Sequence, residues 1–439
     1  MDANILSDAI SKMIAKGADA VDLLCKCSDS SSVTVRQNKV EKFVEASEES
    51  IQIRASVGKR TAMASVNSFA ELLEEEFLEK VISTAKNASE EQIEFRPSFD
   101  EMCKDVPVLD ICDRSVVDSK QLEADALECE SLALSYPGIT NSEGAESSRV
   151  FSKTILMNNK GFCKEYEKTC YQRAVATLAE KDGQLEQSYD FSNKIYYCDL
   201  KNVKEIAETA AKKTVSHLGA RKIKSCKVPV IFDPLIAGRL LGDILQIING
   251  ESIKKGLTFL KKRDLSKRVF NNNITILDKF NISRGLRSVP FDGDGLPCSN
   301  INLVTKGRLD NFLLNVKCAN ELELKSTAHA AGFGSIAPHN VFIENGTRSK
   351  QDLLGDIRNG LYVTEVLGNG LNAVTGNFSQ GACGFWIENG EMTYPVNEIT
   401  IAGNILEMLN HCEVASDLAF ETGVDSPSIR FDEMTVGGL

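Results

Sequence analysis

Glycine is spread unevenly along this chain: 7 of its 30 glycines precede Lys227, and 23 lie from there to Leu439. Glycine lets a backbone turn at positive φ or approach another backbone closely, so the two parts of the chain make different structural demands. A boundary near Cys226 follows. The 439 residues correspond to about three domains at roughly 150 residues each. With 42% hydrophobic and 26% charged residues, the chain reads as globular and neither disordered, collagenous nor coiled-coil.

The first part reads as two similar passes. Ile5, Leu6, Ile10, Met13 and Ile14 recur at helical spacing up to Gly17, a natural helix stop. Period-two alternation follows at 21–27, 33–35 and 51–57, with a turn at Gly58, and then a helix from Ala70 to Ala88. After a connector holding Pro97 and Pro107, a helix is predicted at 120–134, strands at 150–156, 162–166 and 174–178, and a helix at 203–217. Gln37-Asn38-Lys39 and Asn159-Lys160-Gly161 occupy similar places in the two passes. An internal duplication is one reading and two unrelated units the other. The last part opens with a strand at 228–231 and a helix at 234–248, then turns Gly- and Asn-rich with short β-like runs at 301–304, 360–366 and 384–388. The expected fold is α+β, with units at 1–95 and 110–222 and a mainly β, barrel-like domain with few helices at 227–439.

Sixty-two acidic against 50 basic residues give a net charge of −12, which repels phosphate backbones and argues against a nucleic-acid partner. The longest uncharged span, Val366 to Ile387, is broken by Asn369, Asn372, Asn377, Gln380 and glycines, so no membrane helix is expected. The Met1-Asp2-Ala3-Asn4 start carries no signal-peptide pattern. Thirteen cysteines without a CxxC pair point to free thiols in a reducing cytoplasm.

Local motifs carry little chemistry. Gly368-Asn-Gly370-Leu-Asn-Ala373 has dinucleotide-type spacing, but Thr375-Gly376-Asn377 and Gly381 stand where the phosphate-binding helix must begin. Asp292-Gly-Asp294-Gly295 starts like a calcium loop, yet Leu296 and Leu303 replace required oxygen ligands. A tight turn is the better reading. The four histidines, His217, His329, His339 and His411, form no HExxH. A dispersed metal site from His329, His339 and His411-Cys412 competes with plain buried histidines. Cys383 is a nucleophile only if an imidazole stands beside it.

The C-terminal segments say more. Leu361-Tyr-Val-Thr-Glu-Val-Leu-Gly-Asn-Gly370, Ala373-Val-Thr-Gly-Asn-Phe-Ser-Gln-Gly-Ala382, Gly384-Phe-Trp-Ile-Glu-Asn-Gly390 and Tyr394-Pro-Val-Asn-Glu-Ile-Thr-Ile-Ala-Gly-Asn404 together closely resemble the PmbA/TldD family. Val228–Pro234, Ser288–Gly295 and Leu324–His329 support the match.

The resemblance implies a cytoplasmic TldD–TldE (PmbA) heterodimer, a zinc peptidase acting on unfolded peptides such as peptide-antibiotic precursors and antitoxins. In the TldD branch a helix carries HExxxH, and a cysteine near the C-terminus completes the metal site. Aligned on Ala237-Gly238 and Leu240-Leu241, the histidine positions here hold Gly242 and Ile247, the glutamate position Asp243, and the thiolate position falls at about Glu421. Zinc needs at least three protein ligands. The resemblance therefore implies the PmbA (TldE) branch, with no cofactor in this chain, zinc in a TldD-like HExxxH partner, and a possible homodimer when alone. It makes Gly368, Gly370, Thr375, Gly376, Asn377, Gly381, Gly384 and His329 candidates for a chamber wall or interface, while those glycines also serve plain backbone needs. The competing readings are a self-sufficient metallopeptidase using His329, His339 or Cys412, and a non-enzymatic modulator or peptide-binding protein.

Overall fold

The computed structural model describes residues 3–438. The first predicted helix is α1 (Ala3–Ala15), which buries Leu6, Ile10 and Met13 and stops before Gly17 at φ +100°. The alternating segments at 21–27 and 33–35 belong to one long strand, β1 (Ala20–Arg36). The serines between them stay paired with both neighbouring strands. The chain turns at Gln37 and Asn38, both at positive φ, into β2 (Lys39–Val57), and through Gly58 into β3 (Arg60–Val66). The single helix predicted after it is two, α2 (Phe69–Leu72) and α3 (Glu75–Asn87). In a continuous helix Glu71 and Glu75 would repel at i,i+4; after the break, Glu75 and Glu76 lie in the first turn of α3, where the helix dipole favours them.

The second pass runs α4 (Ser119–Leu134), β4 (Asn141–Asn158), β5 (Cys163–Lys181), β6 (Gln184–Lys194) and α5 (Val203–Ser216). Asp118 and Asn202 cap the two helices by accepting from Gln121 N and Glu205 N. The segments predicted at 162–166 and 174–178 are both β5, and β6, marked only by the Asp182-Gly183 turn, lies outside the predicted strands. The two passes share one antiparallel sheet of order β3-β2-β1-β4-β5-β6, in which β1 and β4 pair along most of their length. Alternation sorts its faces: Val21, Leu23 and Cys25 pack under α1 and α3, whereas Leu24 and Lys26 face a cavity against the C-terminal region.

That region begins with β7 (Cys226–Phe232), α6 (Pro234–Ile247) and α7 (Gly250–Lys255). Then come β8 (Ile276–Lys279), β9 (Ile301–Thr305), β10 (Arg308–Leu309), α8 (Val316–Glu321), the hairpin β11 (Ala330–Gly332) and β12 (Ser335–Ile336), β13 (Asn340–Ile343) and α9 (Lys350–Gly355). The last stretch holds β14 (Asn359–Leu367), β15 (Asn377–Glu388), β16 (Glu391–Asn404), α10 (Ile405–Asn410), β17 (Cys412–Val414), β18 (Val424–Asp425) and β19 (Ile429–Gly437). Strands β16-β15-β14-β7-β19 close into a five-stranded barrel because β19 pairs back to β16 through Ile401 and Val436. The expected α+β class with a barrel-like C-terminal part is the one adopted. A second sheet, β10-β9-β8-β13-β18, lies beside it. Helix α6 packs between the two, against β7 and β14 on one side and β13 and β18 on the other. One apolar core, including Phe232, Leu241, Ile244, Phe312 and Phe431, joins them.

A buried ion network ties the first sheet to this region. Arg54 on β2 lies 2.9 Å from Asp22 on β1 and 2.8 Å from Asp294 in the C-terminal part, and its guanidinium covers the Phe333 ring. The Asp292–Gly295 segment is the tight turn expected of it: Asp292 Oδ1 accepts from Asp294 N and Leu296 N, and Gly295 sits at φ +86°.

Candidate functional site

Helix α6 is started by its own sequence. Asp233 Oδ1 accepts from Ile236 N, and Pro234 fills the first turn, where its missing N–H costs nothing. Burial pushes the Asp233 carboxyl up to about 6. Ile236, Leu240, Leu241, Ile244 and Leu245 face the core. The opposite face, with Arg239, Gly242, Asp243 and Gln246, lines a cavity of about 320 Å³ whose far wall is Val366, Gly368, Asn369, Phe378 and Gln380.

Asp243 accepts no hydrogen bond there and has no cation in ion-pair range among the described residues. Partial burial alone raises its pKa to about 6. Arg239 donates to Val366 O at 3.3 Å, and Gln380 Nε2 donates to Gly368 O at 2.5 Å. A Cβ at Gly242 would meet nothing within 4 Å, so the cavity has room for a side chain that this sequence does not supply.

The structure divides the other sequence-derived candidates. Ile247 is fully buried in the core and does not reach the cavity of Gly242. Glu421 lies 3.3 Å from Lys194 and lines a separate cavity with Lys201, Asp233, Gly238 and Asp425, a helical turn away from Gly242. Of the glycine wall, Gly368 lines the α6 cavity. Gly370 and Gly384 answer to close packing: an added Cβ would fall 2.3 Å from the side-chain Cγ of Gln380 and 1.9 Å from the backbone Tyr362 O, respectively. Gly381 packs beside Leu367. Thr375 and Asn377 are exposed and flank the buried Gly376, in a turn where Asn404 Nδ2 donates to Thr375 O and Asn377 Oδ1.

His329 is a correction. Its side chain is 0% exposed, so it lines no open chamber wall. Its Nε2 lies 2.9 Å from Asp278 Oδ2 and its Nδ1 3.0 Å from Thr327 Oγ1. His339 Nδ1 lies 3.2 Å from Asp278 Oδ1 and its Nε2 3.3 Å from Cys298 Sγ.

Among the described residues, Asp278, His329 and His339 are the one group of three or more such side chains close enough to share a metal ion. Cys412 is not part of it and donates to Leu409 O. Burial opposes the Asp278 charge, but the two imidazoles outweigh it and hold the carboxyl well below the usual range. Burial also lowers the His329 pKa, which keeps that ring neutral. Asp278 further accepts from His339 N, so both its oxygens are satisfied by N–H groups. This saturated, buried cluster does not suit a catalytic zinc, which needs an open coordination position. Asp278 gives a faint sequence signal only, an acid at a buried position of an alternating strand. Cys383 has no imidazole bonded to its thiol, whose pKa burial raises. Among the described residues no helix is long and apolar enough to cross a membrane.

A closed β-barrel wrapped onto a capped helix, with a cavity on that helix's polar face, is the scaffold that carries the candidate site. Comparison with known proteins gives its class. The PmbA/TldA metallopeptidase domain 1 matches residues 28–90, the central domain 113–218 and the C-terminal domain 225–438. The chain is 30% identical over 439 residues to the metalloprotease PmbA of Escherichia coli O157:H7, covering 99% of this chain and 96% of that one. It is 30% identical over 436 residues to a PmbA homolog of Haemophilus influenzae, at 99% and 95% coverage. Its fold is shared with TldE from Thermococcus kodakarensis (22% identity, TM-score 0.81, covering 99% and 100%). A solved structure from Bacteroides thetaiotaomicron is also similar (22%, TM-score 0.90, covering 99% and 98%). The chain belongs to the PmbA/TldD metallopeptidase family.

Proposed function

We propose that this chain is the PmbA/TldE-type subunit of a heterodimeric zinc peptidase that processes unfolded peptides in the cytoplasm. Its partner is a TldD-like chain that supplies the HExxxH zinc. The observation carrying this reading is the α6 cavity, where Gly242 offers no ligand, Ile247 is turned into the core, and Asp243 stands with no hydrogen-bond partner. The residues present do not fit a catalytic zinc, so no step is assigned to a metal in this chain. Its part is to shape the wall against which an extended peptide lies, through the Gly368–Gln380 side of the cavity and the Thr375–Asn377 turn.

The test is reconstitution. This chain alone should leave an unstructured peptide intact, and mixing with the HExxxH subunit should give chelator-sensitive cleavage. In that mixture Asp243→Ala should change the rate by only a few fold, whereas replacing the partner's motif glutamate should cost about 10²–10⁴-fold. Robust cleavage by this chain alone, lost in Asp243→Ala, would overturn the assignment.

A further inference from the structure

The face of the first sheet that turns away from α1 and α3 meets the C-terminal region across a cavity of about 440 Å³. Its charge has no use in the peptidase reading, and none of its lining residues is on α6. Lys26 on β1, Lys168 on β5 and Arg287 from the segment before β9 all line it. Lys168 is the most enclosed of the three. Its Nζ donates to Leu286 O at 2.6 Å and Ser288 O at 3.3 Å. Desolvation lowers its pKa to about 8, and of the charged groups that act on it, Lys26 and Arg287 lower it further while only the Cys170 thiol raises it.

No carboxylate pairs with any of the three cations among the described residues, in a chain that carries 62 acids. The one acid on the wall, Asp292, is turned to backbone: it accepts from Asp294 N, Leu296 N and Ala330 N. Its oxygens are thus taken by backbone N–H groups, and it forms no ion pair with any of the three cations. Hydroxyls of Ser50, Ser152 and Thr154 also line it, beside Gln52, His339 and apolar side chains such as Phe291. Three cations without a carboxylate partner around a pocket of ligand-binding size repel one another, and a bound anion would relieve that repulsion.

We infer that this cavity is a binding site for a small oxyanion-bearing ligand, a phosphate or a carboxylate, held by Lys168, Lys26 and Arg287. The ligand's oxygens would accept charge-assisted hydrogen bonds from these heads, and the adjacent hydroxyls would orient it.

Isothermal titration calorimetry of the full chain with inorganic phosphate, and separately with succinate, tests this. At least one probe should bind at a single site, and Lys168→Met and Arg287→Gln should each weaken it about tenfold or more. Lys39→Gln, at the exposed β1–β2 turn, should leave binding unchanged. Preference for phosphate assigns a phosphoryl ligand, and preference for succinate a carboxylate. Should Lys168→Met fail to fold, Arg287→Gln and the exposed Lys26→Gln carry the comparison. Binding of neither probe, or equal weakening by Lys39→Gln, would refute the site.

Discussion

The six-stranded sheet and the closed barrel are both built of antiparallel hairpins, yet they respond to a side chain in opposite ways. At the β2–β3 turn of the sheet, a Cβ on Gly58 would meet nothing within 4 Å, although the residue sits at φ +58°. In the barrel, a Cβ on Gly384 would lie 1.9 Å from Tyr362 O, beside an irregularity in the β14–β15 register. The open sheet keeps Gly58, Gly161 and Gly183 at turns, where they supply positive φ, and has one glycine inside a strand, Gly144 at the β4 bulge. A closed barrel needs them inside strands, where bulges and close approaches bend the sheet onto itself. Gly360, Gly381, Gly384, Gly403 and Gly437 lie inside barrel strands and add to the uneven glycine count of the sequence.

The largest expected effect breaks the comparison directly. Gly384→Val should cost more than about 4 kcal/mol of stability, in the range of severe core disruption, whereas Gly58→Ala should cost only about 1–2 kcal/mol for its left-handed backbone. Urea unfolding of both variants measures this, and similar losses would remove the distinction between sheet and barrel. Next comes the joint between the two regions. Arg54→Met leaves Asp294 without its ion-pair partner and takes one of two arginines from Asp22, which should cost about 3–5 kcal/mol. The loss should show as separate melting of the two parts in calorimetry, and a single unshifted transition would mean the joint contributes little.

The smallest effect lies in the α6 cavity. Because the Asp243 pKa is raised to about 6 in the folded chain, the folded state binds its proton more tightly than the unfolded state does. Its charged form therefore costs stability above pH 6, and the cost fades as pH falls toward the unfolded carboxyl range near 4. Asp243→Asn should raise Tm at pH 7.5 and lose that advantage by pH 4. An advantage independent of pH would show that the carboxyl is not the cause.

The sequence showed where the chain is helical more clearly than how its strands join. Helix α6 was legible from Asp233-Pro234 and its apolar spacing, and α4 and α5 from theirs. The joining of 21–27 with 33–35 was not, because the Ser28–Ser32 stretch between them breaks the apolar alternation and owes its strand state to pairing with β2 and β4. The candidate site was legible through the resemblance, which pointed to Gly242, Ile247 and Asp243. Asp278 was missed because its partners His329 and His339 are some fifty to sixty residues away along the chain.

By itself the sequence determined the α+β class, the capped helix α6 and the lack of imidazoles on it. These follow from local spacing, turn chemistry and residue identity, all of which act over a few residues. Only the tertiary structure decided that the two N-terminal passes form one sheet, that the barrel closes through Ile401 and Val436, and that Asp243 faces a cavity while Ile247 does not. It alone gathered Lys26, Lys168 and Arg287 around a single cavity. The physical reason is that pairing, closure and convergence of charge depend on contacts between residues far apart in the chain, whose partners no local pattern names.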